Sequence, residues 1–112
     1  MYAVVRHYSS SPGSVEEMVR QVDQEFADRV PERVGAILYS AIGTGAGTVT
    51  TITVFPDAET AARAEDPVED VQRSLGERFG VRETEVHRGE VTVSRADPRI
   101  AETVRPVPRS QG

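Results

Sequence analysis

Two short segments of this chain are apolar on both faces of a strand, and that feature limits its folds more than any other. Tyr2 to Tyr8 reads YAVVRHY, with Val4 and Val5 adjacent. Neighbouring strand residues point to opposite faces, so both sides carry apolar groups. Val34 to Ile42 reads VGAILYSAI, with Ala36 and Leu38 on one side and Ile37 and Tyr39 on the other. A sheet built from such strands must be covered twice, because a bare apolar face in a small protein is a large exposed patch. A chain of 112 residues holds about one domain's core, so one cover must come from outside the chain.

The remaining segments supply the other cover. Ser9 to Gly13 (SSSPG) is a turn cluster, and Ser14 with Glu17 forms a capping box at a helix start. Val15, Met18, Val19, Val22, Phe26 and Val30 follow at helical spacing, and Pro31 ends the run. Thr48 to Phe55 (TVTTITVF) is a third strand, joined to the second by the Gly43 to Gly47 turn. That GTGAG stretch leads into a strand. A dinucleotide loop needs a helix there, so it is read as a turn. Asp57 is placed to cap a helix running from Ala58 to Phe79, with a restart at Pro67 capped by Asp66, and Gly80 closes it. Thr84 to Ser94 is a fourth strand, with a bulge expected at Gly89.

The order is β-α-β-β-α-β, which predicts an α+β, ferredoxin-like fold: a four-stranded antiparallel sheet with helices on one face. Packing the other face on a second copy gives a homodimer with a barrel-like core. Residues 1–95 form the expected domain, and 96–112, with Pro98, Pro106 and Pro108, a flexible or partner-wrapping tail.

Composition removes whole chemistries. The chain has no Cys, Trp, Lys or Asn. It therefore has no thiolate nucleophile, disulfide, Schiff base or phosphate-loop lysine. The net charge is −5, and residues 1–95 carry 10 Arg against 16 acids, a poor surface for nucleic acid. No run is long enough to span a bilayer and no secretory pattern opens the chain, so a cytoplasmic location is expected.

The opening MYAVVRHY, the Pro12-Gly13-Ser14 helix start, Pro31 through Gly35 to Tyr39, the junction VFPDAETAA and the closing Gly89-Glu90-Val91 carry a resemblance. Over about residues 1–94 the chain resembles the antibiotic-biosynthesis-monooxygenase-like domains of the dimeric α/β-barrel superfamily. The resemblance implies a cavity between sheet and helices. It implies a small hydrophobic or aromatic ligand, and activities such as cofactor-independent oxygenation, cyclisation or isomerisation. Haem-degrading members use an Asn, a Trp and a His, and this chain has neither Asn nor Trp. Phe55 stands where the family often has Trp, and the helix after it carries no His.

His7 and His87 are the only histidines, and imidazole is the side chain suited to proton transfer near neutral pH. Strands 1 and 4 are neighbours in this fold. Pairing residue 7 with about 88 brings the histidines close, able to deprotonate a phenol or enol and hold the oxyanion. Tyr39 completes the expected catalytic set by orienting a substrate oxygen. Arg6, Arg88 and Tyr8 are the expected substrate-binding residues, the arginines by bidentate pairing with a substrate carboxylate; the alternative for the arginines is a structural salt bridge to Glu85 or Glu90. Glu85 shares a strand face with His87, but spacing alone does not bring His7 to them. Two histidines and Glu85 could form a facial triad, but with His7 unplaced no metal is expected, and the resemblance to cofactor-independent relatives implies no cofactor. The overall expectation is a small-molecule-binding protein with cofactor-free monooxygenase chemistry. The alternatives are a cyclase or isomerase, or a non-catalytic dimeric binding module.

Overall fold

The computed structural model describes residues 1–10, 20 and 34–102, apart from the side chains of Leu75 and Phe79. Strands β1 (Tyr2–Ser9), β2 (Leu38–Gly45), β3 (Thr48–Phe55) and β4 (Arg82–Glu90) form one sheet in the order β2-β3-β1-β4. Every pairing is antiparallel. This is the strand order of the ferredoxin-like fold, and the α+β expectation holds. Helices α1 (Ala58–Arg63) and α2 (Glu65–Phe79) both lie on one face. The expected helix beginning at Ser14 lies outside the described residues.

Alternation along β1 sorts the two faces. Val4 and Arg6 are buried on the helix side, where Val4 joins Phe55, Val34, Ala61 and Ala64 in the core. Tyr2, Ala36, Val68 and Val86 pack around that core. Ala3, Val5 and His7 point to the other face, which carries neither described helix.

The helix boundaries follow from single residues. The Asp57 carboxylate accepts from the Thr60 backbone N–H at 2.7 Å and from its hydroxyl at 2.7 Å. Those bonds hold the Asp57 carboxyl below its ordinary pKa. The break between α1 and α2 falls at Ala64, earlier than the restart expected at Pro67. Proline cannot donate to the carbonyl four residues back, and its ring crowds it. For Pro67 that residue is Arg63, the last of α1, and Pro67 itself sits in the first turn of α2, where a missing N–H is harmless. Gly80 ends α2 in the left-handed region with φ 67°.

The hairpin between β2 and β3 turns at Ala46 and Gly47, both at positive φ, which matches the right-handed twist of the strands. A Cβ on Gly47 would stand 3.0 Å from the Ser10 carbonyl, so glycine lets the turn close on the end of β1. There the Ser10 N–H donates to the Gly47 carbonyl at 2.8 Å.

Other assignments differ from expectation, among them the end of β2 at Gly45 rather than Ile42 and the start of β4 at Arg82 rather than Thr84. β2 starts at Leu38, not Val34, because Gly35 adopts φ 74° and Val34 turns into the core. β4 spans Arg82–Glu90 rather than reaching Ser94. Val91 N–H still donates to the Met1 carbonyl, just past the end of the ladder. The β4 irregularity lies opposite His7 and Tyr8, with Thr84 as the extra residue, and not at Gly89. In the tail, Pro98–Ala101 makes a 3-10 turn capped by Asp97, and residues 103–112 lie outside the described region.

Candidate functional site

The β1–β4 register decides which side chains meet. His7 pairs with Glu85 and Val5 with His87, three residues away from the register expected from the sequence. The histidines are diagonal neighbours, with ring centroids 6.0 Å apart and planes at 83°. The Glu85 carboxylate stands between them, 3.2 Å from His87 Nε2 and 3.8 Å from His7 Nε2. On the opposite strand, Thr50 pairs with His7, and its hydroxyl lies 3.0 Å from His7 Nδ1. That contact fixes the His7 ring and leaves Nε2 facing Glu85.

This cluster ends an apolar surface. In the rows that pair with Ala3 and Val5, β3 contributes Val54 and Ile52, and β2 beyond them contributes Leu38 and Ser40. Ile42 lies beyond Thr50 and is exposed. Over the rows of Ala3, Val5 and His7, the only ionisable groups are His7, Glu85 and His87.

The bulge at Thr84 makes this separation possible. Glu83 and Glu85 are two residues apart, a spacing that normally puts both on one face. With Thr84 unpaired, Glu85 stays opposite His7 while Glu83 pairs with Tyr8 and turns to the helix side. The Thr84 hydroxyl donates to the His7 carbonyl at 3.2 Å.

The other expected site residues lie on that helix side. Arg6 donates to Glu83 at 2.7 Å and stands 3.6 Å from Glu65. Arg88 binds Glu65 through Nε at 3.2 Å and Nη2 at 3.1 Å, not Glu85 or Glu90. Gln72 on α2 donates to Tyr8 at 3.0 Å and to Glu83 at 2.8 Å. Both arginines are thus engaged by carboxylates of the same chain. Burial pushes the Tyr8 hydroxyl's pKa up, with the Gln72 bond opposing it. Burial pushes Tyr39 to about 12. Tyr39 pairs with Thr53 and faces away from the histidines, so one chain cannot line a single cavity with His7, His87 and Tyr39. An open depression of about 380 Å³ lies between α2 and the start of β4, lined by Tyr8, Gln72, Gly76, Val81 and Glu83 among others. Neither histidine reaches it.

Sequence reasoning missed Thr50, Glu65, Gln72 and Glu83. Each becomes visible only once register is known, since none belongs to a local motif.

Among the described residues, no helix is long and apolar enough to cross a membrane. No protein-family model matches the chain, and no curated protein matches it. Solved structures do. A dimeric ferredoxin-like protein from an uncultured marine organism superposes with a TM-score of 0.70 at 10% identity, covering 87% of this chain and 100% of that one. A candidate antibiotic biosynthesis monooxygenase from Deinococcus radiodurans gives 0.67 at 14% identity, over 87% of this chain and 98% of that one. A second such candidate, from Chloroflexus aurantiacus, gives 0.63 at 14% identity, over 85% and 96%. At these identities the likeness carries the fold alone, which is ferredoxin-like.

Proposed function

We propose that this chain, an antibiotic-biosynthesis-monooxygenase-like domain by its fold, works as a homodimer that encloses a small hydrophobic or aromatic molecule over the helix-free face of its sheet. The observation that carries the reading is the His7–Glu85–His87 cluster at the end of an apolar surface. Such a surface suits a ring system, and the cluster suits a weakly acidic hydroxyl on that ring. His7 or His87 takes the hydroxyl proton, and Glu85 steadies the imidazolium that forms. The resulting phenolate or enolate is electron-rich. It is the form that reacts with dioxygen without a cofactor, and also the form that isomerises or cyclises.

Dimerisation is supported by the dimeric neighbour and by the need to cover Val5, Ile52 and Leu38. A two-fold axis lets one patch pair with itself. Arg6, Arg88 and Tyr8 then serve the helix-side network rather than the ligand, and Tyr39 serves the same interior.

Sedimentation of the wild type and of Ile52→Glu tests the dimer. A wild-type dimer that the variant converts to a folded monomer is expected, and a wild-type monomer overturns it. A panel of phenols and enols, followed by oxygen uptake and by product analysis, tests the chemistry. His7→Ala combined with His87→Ala should lower turnover at least about 100-fold, the lower end of what a general base supplies. Undiminished turnover in the folded double variant would sink the assignment. Oxygen consumption separates oxygenation from isomerisation.

A further inference from the structure

We propose that His7, Glu85 and His87 form a binding site for a first-row divalent cation, with Zn²⁺ as the representative ion. Nε2 of each histidine and a Glu85 carboxylate oxygen supply the three protein ligands. The donor set is two imidazoles and one carboxylate, which zinc and its neighbours accept and which leaves coordination positions open.

The geometry carries this. The three donor atoms lie within 4.8 Å of one another, and two of the separations are 3.2 and 3.8 Å. Donors bound about 2.0–2.2 Å from one ion stand roughly 3.0–3.5 Å apart, so small side-chain rotations close the set around a cation. All three residues sit on adjacent strands of one sheet, which holds their backbones in register. Thr50 adds a feature that a chance cluster lacks. Its hydroxyl meets His7 Nδ1 at 3.0 Å, and a partner on one ring nitrogen orients the other as the metal-facing donor. Exposure is graded suitably, with the His7 side chain 39% exposed and those of Glu85 and His87 60% and 63%, so an ion can enter.

The Thr84 bulge also bears on the site. It keeps Glu83 on the helix side with Arg6, so Glu85 faces the histidines with no arginine competing for its carboxylate among the described contacts. The carboxylate charge of Glu85 is what a cation neutralises. The coordination positions that three protein ligands leave free are open to an oxygen ligand. A phenolate or enolate oxygen is the kind of group that would occupy them. The cation site itself does not depend on the ligand proposed above, because it is read without any substrate.

Isothermal titration of the chelator-stripped full-length chain with Zn²⁺ tests it, with Co²⁺ absorption reporting imidazole coordination. One ion per chain at micromolar affinity or tighter is expected. Glu85→Gln and His87→Ala should each weaken binding at least 10-fold. Thr50→Val should weaken it about 10-fold through the His7 ring. Glu90→Gln, on the other face of β4, should leave affinity unchanged. Circular dichroism of each variant confirms folding. Binding weaker than millimolar, or equal affinity in wild type, Glu85→Gln and His87→Ala, overturns the site. Turnover that survives chelation keeps the proton-transfer reading whatever the titration gives, so the two can fail separately.

Discussion

The two faces of the sheet handle charge in opposite ways. On the helix side, Arg6, Arg88, Glu65, Glu83, Gln72 and Tyr8 bind one another, and the network closes. On the other side, two histidines converge on one carboxylate at the end of an apolar surface. Both faces draw on β1, whose neighbouring residues Arg6 and His7 belong one to each. Saturated polar groups buried under a helix hold structure, while convergent unsaturated ones at a surface await a ligand. The comparison shows that residue type alone does not separate binding from structural roles here. Arg6 and His7 are both polar, both on β1 and adjacent, and the side on which they emerge decides.

Several perturbations would break or sharpen that contrast. The largest effect belongs to the helix-side core. Phe55→Ala should lower stability by about 3–5 kcal/mol in denaturant unfolding, because Phe55 is only 2% exposed and its loss leaves a cavity. Arg6→Ala comes next, at about 1–3 kcal/mol, since it strips the buried partner from Glu83 and loosens Glu65. If Arg6→Ala were neutral in stability but abolished ligand binding, the contrast between the faces would fail.

A third effect appears at high pH. Tyr39 titrates near 12 in the folded chain against about 10 when exposed, so folding favours its neutral form. Its contribution to stability is complete below pH 10 and is lost as pH rises toward 12. A phenolate absorbance titration should show delayed ionisation at Tyr39 and, in the same direction, at Tyr8. Full ionisation of all three tyrosines by pH 11 in the folded protein would contradict its burial. The smallest effect is on the open face. Thr50→Val should change stability by less than about 1 kcal/mol, because the bond it removes is partly exposed. A larger loss would make the cluster structural rather than ligand-directed.

Much of this was legible from the sequence, and the limits have physical causes. TVTTITVF, bounded by glycine and proline, reads as a strand over the very residues that form β3. Asp57 and Gly80 announce their helix ends because capping is a local property. The element order was enough to give the ferredoxin-like sheet. Register was not legible, because pairing between β1 and β4 depends on contacts some 80 residues apart. The one residue that shifts it, Thr84, has no mark of a bulge, whereas Gly89 has one and lies in a regular ladder. Rough proximity of His7 and His87 was legible, but a register off by an odd number of residues puts them on opposite faces, and it did not reveal Glu85 opposite His7. Tyr39 could be assigned to its face only once β2 was seen to begin at Leu38.

The bulge at Thr84 also sets where β4 can change length. Removing one residue elsewhere in the strand, at Val86 for instance, would invert every side chain beyond it and exchange the two surfaces. Removing Thr84 would instead restore an unbroken ladder, with Glu83 still opposite Tyr8 and Glu85 still opposite His7. A one-residue deletion is therefore silent at this position and ruinous beside it. Chains descended with this one can differ in length by a residue at Thr84 and yet keep both carboxylates at their separate posts.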